Sequence, residues 1–131
     1  MNYSKIILKH PVADELFFEV AQDMASQLQT NTANQVRRFY NELVMWHDKV
    51  YAERGEAREA KYQELAPYIK MLNAKVAYAK ARKHVDEGFE GMFSCCIKQI
   101  NDATSLKYGK LFMEAFIGFH KVYDSKKKEG Q

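Results

Sequence analysis

Apolar positions recur every three or four residues along the chain, with polar runs between them, and this spacing predicts about five helical segments. The second is the clearest. Val36, Phe39, Tyr40, Leu43, Trp46 and Val50 form one stripe about four turns long. Thr32 followed three residues on by Gln35 is a capping-box pattern that would start it, and Gly55 is placed to stop it. The first segment, 12–29, follows Pro11 and puts Leu16, Phe17, Val20 and Met24 on one face. Asp14, Glu15 and Glu19 would sit at the positive end of its dipole. The third, 57–85, carries Leu65, Ile69, Leu72, Val76 and Ala79 on its buried side. Pro67 predicts a kink or break in it near Leu65. The fourth, 89–103, shows Phe89, Phe93, Cys96, Ile97 and Ile100; the fifth, 105–124, shows Tyr108, Leu111, Phe112, Ala115, Phe119 and Tyr123. Each segment has one apolar side, so the segments need one another. The expected fold is all-α, a compact bundle of about five helices. It forms a single helical domain over 1–131, with 1–11 a candidate flexible arm and 125–131 a basic tail.

Composition agrees with this picture. Six glycines and two prolines among 131 residues leave little material for a turn-rich sheet protein. Eight Phe, eight Tyr and one Trp supply more apolar bulk than a disordered chain carries. The two cysteines, Cys95 and Cys96, are adjacent, which is neither a disulfide framework nor a zinc-ligand spacing. Ile6, Ile7 and Leu8 are cut short by Lys9 and His10, so no secretory leader is expected. No run reaches the roughly 18 apolar residues of a membrane span. The expected compartment is the cytoplasm.

Charge changes the picture more. The net charge is +3, but residues 61–131 carry thirteen basic against eight acidic side chains, and the stretch from Lys61 to Lys83 holds six against one. That concentration could meet a polyanion or could be a solvated helix face. Catalytic constellations are missing from the pattern. His10, His47, His84 and His120 form no HxxxH pair and no Glu-x-x-His, and His47 falls within the second apolar stripe, where a core histidine is expected. Gly88 and Gly91 are not followed by the Lys-Ser/Thr of a phosphate loop. No metal or other cofactor is expected.

One helix face carries a nucleic-acid signal. If Pro67 opens a helix, Met71, Lys75, Tyr78 and Arg82 follow at intervals of four, three and four, beside the buried stripe. Basic residues interleaved with an aromatic ring can hold phosphates and offer a ring to a base or sugar. Lys70, Lys80 and Lys83 widen the positive field. The competing reading is a lysine-rich surface helix whose Tyr78 packs against a neighbour. Arg37 and Arg38 lie in the first turn of the second helix, where cations oppose the dipole. An ion pair from Arg38 to Glu42 could offset part of that, and an anionic partner is the other explanation.

Three stretches, in order, resemble the small subunit of type III-A CRISPR effector (Csm) complexes: TANQVRRFYNEL at 32–43, IKMLNAKVAYA at 69–79 followed by Arg82, and FMEAFIGFHK at 112–121. The family often has Gly just before the Arg of the second stretch, where this chain has Ala81, which would leave the helix more continuous. Residues 1–30 match no family pattern. The resemblance implies a helical, non-catalytic subunit that stacks in several copies beside the backbone and large subunits. It implies contact with the backbone of the crRNA–target RNA duplex, in antiviral defence, with sequence read by base pairing and not by the protein. Lys75, Tyr78 and Arg82, supported by Arg37, Arg38 and Lys70, are then the expected RNA contacts. A helical adaptor that binds only protein is the alternative.

Overall fold

The second segment forms as its pattern predicts. In the computed structural model, which describes residues 1–129, helix α2 spans Ala33–Tyr51 and buries Val36, Phe39, Leu43 and Val50. Thr32 is extended, and its hydroxyl accepts from the Gln35 amide at 3.3 Å. Only this half of the capping box is made, because the Gln35 side-chain oxygen is buried without a partner among the described residues. The helix ends at Tyr51, before Gly55. With φ at +58°, Gly55 takes a conformation that costs other residues more, and it serves as the N-cap of α3, not as the stop of α2.

The first segment starts later than expected and in a different winding. A π-helical turn over Leu16–Val20 leads into α1, Ala21–Gln27. The Val20 amide donates to the Glu15 carbonyl, five residues back, at 3.0 Å. The wider turn buries Leu16 and Val20 and leaves Phe18 outside, 55% exposed and stacked on Phe119 at 6.2 Å.

Pro67 does not break the third segment. Helix α3 runs Glu56–Lys70 straight through it, and the break comes at Met71, whose amide donates to the Pro67 carbonyl. The proline lies on the exposed side of α3 and removes a single backbone donor. Helix α4 then spans Leu72–Ala81. It stops well short of Val85. The His84 amide donates to the Ala79 carbonyl and the Lys83 amide to the Lys80 carbonyl, both at 2.9 Å. That pair of bonds is a Schellman stop, with Lys83 in the left-handed position at φ +63°. Ala81 therefore does not carry the helix onward.

Helices α5, Glu87–Gln99, and α6, Ala103–Glu129, complete the set. Asp86 caps α5 by accepting from the Phe89 amide at 2.9 Å. The fourth segment was expected to reach 103, but Asp102 and Ser105 form their own cap. The Ser105 amide donates to Asp102 Oδ1 at 2.7 Å, and the Asp102 amide to Ser105 Oγ at 3.1 Å. This starts α6 and leaves Ile100 extended. Side chains of α3 close the corner: Tyr62 donates to the Ile100 carbonyl at 3.2 Å, and Glu59 accepts from the Ala103 amide at 3.0 Å. Helix α6 continues past Asp124 to Glu129, and the last two residues of the expected tail lie outside the described residues.

The five expected segments thus correspond to α1, α2, the α3–α4 pair, α5 and α6, in an all-α bundle. Its centre is aromatic: Phe39 lies 5.3 Å from Phe93 and 5.8 Å from Phe89, and Phe89 lies 6.0 Å from Phe116. Each such ring contributes roughly 1.5–3 kcal/mol by leaving water. The N-terminal stretch rests on this bundle. Ile6 and Leu8 are buried, and Gln99 holds both, donating to the Ile6 carbonyl at 2.6 Å and accepting from the Leu8 amide at 2.8 Å.

Candidate nucleic-acid interface

With Leu72, Val76 and Ala79 turned into the core, α4 presents Met71, Lys75, Tyr78 and Arg82 outward. Tyr78 is 62% exposed and does not pack against a neighbouring helix as the competing reading requires. Its ring and hydroxyl instead hold Arg82, whose Nη1 donates to the hydroxyl at 2.9 Å and whose guanidinium lies 5.7 Å from the ring centre. This contact fixes the cation without neutralising it. The stripe extends backward across the break to Tyr68, which is 53% exposed. From Tyr68 to Arg82 it is about 21 Å long at helical rise, enough to follow several phosphates.

A second stripe lies beside it. Arg38, Glu42, Met45 and Lys49 recur on α2 at helical spacing, on the side away from Leu43 and Val50. Two contacts join the stripes. Lys75 Nζ pairs with Glu42 Oε2 at 3.2 Å. The Trp46 ring stacks on Tyr68 with centres 5.8 Å apart and planes within 17°. Lys49 Nζ sits 5.7 Å from the Trp46 ring centre. The pairing of 42 with 75 and of 46 with 68 makes the two stripes antiparallel, so Arg38 lies toward the Arg82 end and Lys49 toward the Tyr68 end. At the Arg82 end the exposed Lys80 and Lys83 share a cleft with Thr30 and Thr32, the lead-in to α2.

The structure therefore brings Arg38, Lys75, Tyr78 and Arg82 onto one face. The other two predicted residues lie elsewhere. Arg37, though exposed, lines a small cleft of about 160 Å³ between α2 and α6, with Ile117 and Lys121. Lys70 is turned inward. Its ammonium donates to the carbonyls of Ile97, at 2.6 Å, and Ile100, so it caps the end of α5. Burial pushes its pKa down, while the carbonyls favour the charged form; the amine donates in either state. The expected Arg38–Glu42 pair gives way to the Lys75–Glu42 pair, because the neighbouring helix brings an ammonium closer.

Tyr68, Met45 and Lys49 were not singled out by sequence reasoning. The signal was present: Tyr68 stands three residues before Met71, and 38, 42, 45 and 49 share a face. On α2 the buried stripe gives the stronger periodic signal and masks the exposed one. His47, read as a core histidine, is half-buried, stacked on Tyr51 at 4.4 Å and bonded to Asp48 at 3.0 Å. Among the described residues no three His, Cys, Asp or Glu side chains are grouped to hold a metal ion, and no helix is long and apolar enough to cross a membrane.

Comparison with known families matches this chain over residues 12–126 to the family described as Csm2 Type III-A. No curated protein and no solved structure matches it.

Proposed function

From the premise that the chain belongs to the Csm2 family of type III-A CRISPR effector subunits, we propose that it is a non-catalytic small subunit that touches the backbone of the crRNA–target RNA duplex. The contact face is the double stripe of α2 and α4. Arg38, Lys75 and Arg82 meet phosphates, Tyr78 holds the Arg82 guanidinium ready, and Arg37 reaches a neighbouring strand or subunit from the side of the face. Lys70 belongs to the fold and not to this list. The chain acts as one domain in the cytoplasm, stacked in several copies beside the backbone and large subunits.

The observation that carries this reading is the row of exposed cations and an exposed tyrosine along one α2–α4 face, from Arg38 and Arg82 to Lys75. Cations of this kind position a protein on a nucleic-acid backbone without reading sequence. Lys83 supports it: a non-glycine residue at φ +63° costs roughly 1 kcal/mol, and the side chain kept at that cost adds an exposed ammonium beside Arg82. Each copy binds weakly alone, and repetition along the strand multiplies the affinity.

The adaptor reading draws on Phe18, Phe119 and the 49%-exposed Val122, an apolar patch between the π turn and α6. A protein neighbour there is compatible with RNA on the other face. Purification from the host on a tag carried by this chain separates the two readings. Discrete short RNAs of one family, together with several larger subunits, are expected. A clean protein with neither would overturn the proposal in favour of the adaptor.

A further inference from the structure

At the Tyr68 end the face changes character. Trp46 backs the Tyr68 ring from one side, Lys49 stands over the indole, and Met71 and Met45 are both exposed next to the pair. One face of the phenol ring is occupied by the indole, and about half of the Tyr68 surface remains open to solvent. The two rings, held within 17° of parallel, form an apolar platform with the Lys49 ammonium over the indole and Lys75, paired with Glu42, further along the stripes.

Such a platform suits one chemical class of occupant. Bases within a duplex are stacked on each other and offer no free face, whereas an unpaired base offers a π surface and is attached to phosphates that seek cations. A protein helix laid here would have to supply an acidic group to meet Lys49, whereas a nucleic acid carries a phosphate on every residue; Lys75 already has one acidic partner, Glu42, at 3.2 Å. We propose that the Trp46–Tyr68 platform binds a single unpaired nucleotide of the RNA that lies along the α2–α4 stripes. Its base stacks on Tyr68, and its flanking phosphates face Lys49 and Lys75. This rests on the RNA-backbone reading above and adds to it a preference for RNA with an interruption in its pairing.

Trp46 is the one tryptophan of the chain, so its fluorescence reports on this site alone. The experiment titrates the full-length protein with two short RNA duplexes of the same sequence, one fully paired and one carrying a single unpaired adenosine. The duplex with the unpaired base is expected to bind roughly 5- to 150-fold more tightly, the span that loss of one base–aromatic stack covers, and to change Trp46 emission. Tyr68→Leu keeps an apolar contact with Trp46 but removes the π face; it should abolish the preference, bringing the affinity for the interrupted duplex down to that for the paired one. Tyr68→Phe should retain the preference, and circular dichroism checks that both variants fold. Equal binding of the two duplexes by the unaltered protein, or an unchanged preference in Tyr68→Leu, would overturn the platform and leave the backbone reading standing. Binding of neither duplex, in titrations carried to the millimolar concentrations that a weak single-copy contact requires, would remove the backbone reading and the platform with it.

Discussion

Lys70→Met tests whether a lysine in the basic stretch serves the fold or the RNA. In the native chain the ammonium spans the end of α5, donating to the Ile97 and Ile100 carbonyls. Methionine matches the length and apolar stem but donates nothing, so both carbonyls lose this partner. Ile100 keeps its bond from Tyr62, at 3.2 Å. Hydrogen bonds to a charged group contribute about 1.5–3 kcal/mol, and release of the half-buried ammonium returns part of that. A net loss of about 1–3 kcal/mol follows. For 131 residues, an unfolding entropy near 2.1 cal/mol/K per residue turns this into a fall in Tm of roughly 4–11 °C. Calorimetry or thermal circular dichroism measures it. RNA affinity, measured well below the new Tm, should stay within a factor of about two, in contrast to Lys75→Ala. An unchanged Tm with RNA affinity reduced as in Lys75→Ala would refute the assignment and return Lys70 to the contact face.

Three further changes probe other joints. Lys83→Gly relieves the left-handed strain at the α4 stop; after the glycine's own entropy cost it should raise stability by about 0.5 kcal/mol, seen as a small rise in Tm, and it should weaken RNA binding by removing one cation. Gly91→Ala places a methyl group against the Tyr3 ring, whose hydroxyl bonds the Gly88 carbonyl at 3.1 Å. It should destabilise the chain and speed proteolysis near the N-terminus, whereas in a Tyr3→Ala background the same change should stabilise it by up to about 1 kcal/mol through helix propensity. Tyr40 is pushed up to about 12, first by burial and then by donating to Glu114 at 2.9 Å. The folded state then keeps a proton that the unfolded state gives up from pH 10, so stability falls as pH rises from 10 to 12. Tyr40→Phe should make denaturation midpoints less sensitive to pH across that window.

How much of this was legible in the sequence depends on what each signal responds to. The α2 stripe was legible because one buried face and one cap determine it, and Val36, Phe39, Leu43 and Val50 are buried as the spacing requires. Helix ends were less so. Gly55 and Pro67 are strong punctuation, yet α2 stops before the first and α3 runs through the second, because the chain's neighbours and not the residue alone decide where a turn is closed. The π turn at Leu16–Val20 left no trace, since a stripe at 16, 20 and 24 fits ordinary helix as well. At the candidate interface, the spacing of Lys75, Tyr78 and Arg82 was enough to find one exposed stripe. The second stripe, the inward turn of Lys70 and the separation of Arg37 from Arg38 all depend on which helix lies alongside, which spacing within one helix does not encode.

The central claim is that cations on the α2–α4 face hold an RNA backbone. It is tested most directly by the salt dependence of RNA affinity in the assembled effector, comparing the unaltered subunit with Lys75→Ala/Arg82→Ala. The double change should weaken binding and make the plot of log affinity against log salt shallower by roughly 1.4–1.8, the release of two counterion contacts, with helical circular dichroism intact. The same affinity and the same slope in the double variant would contradict the claim.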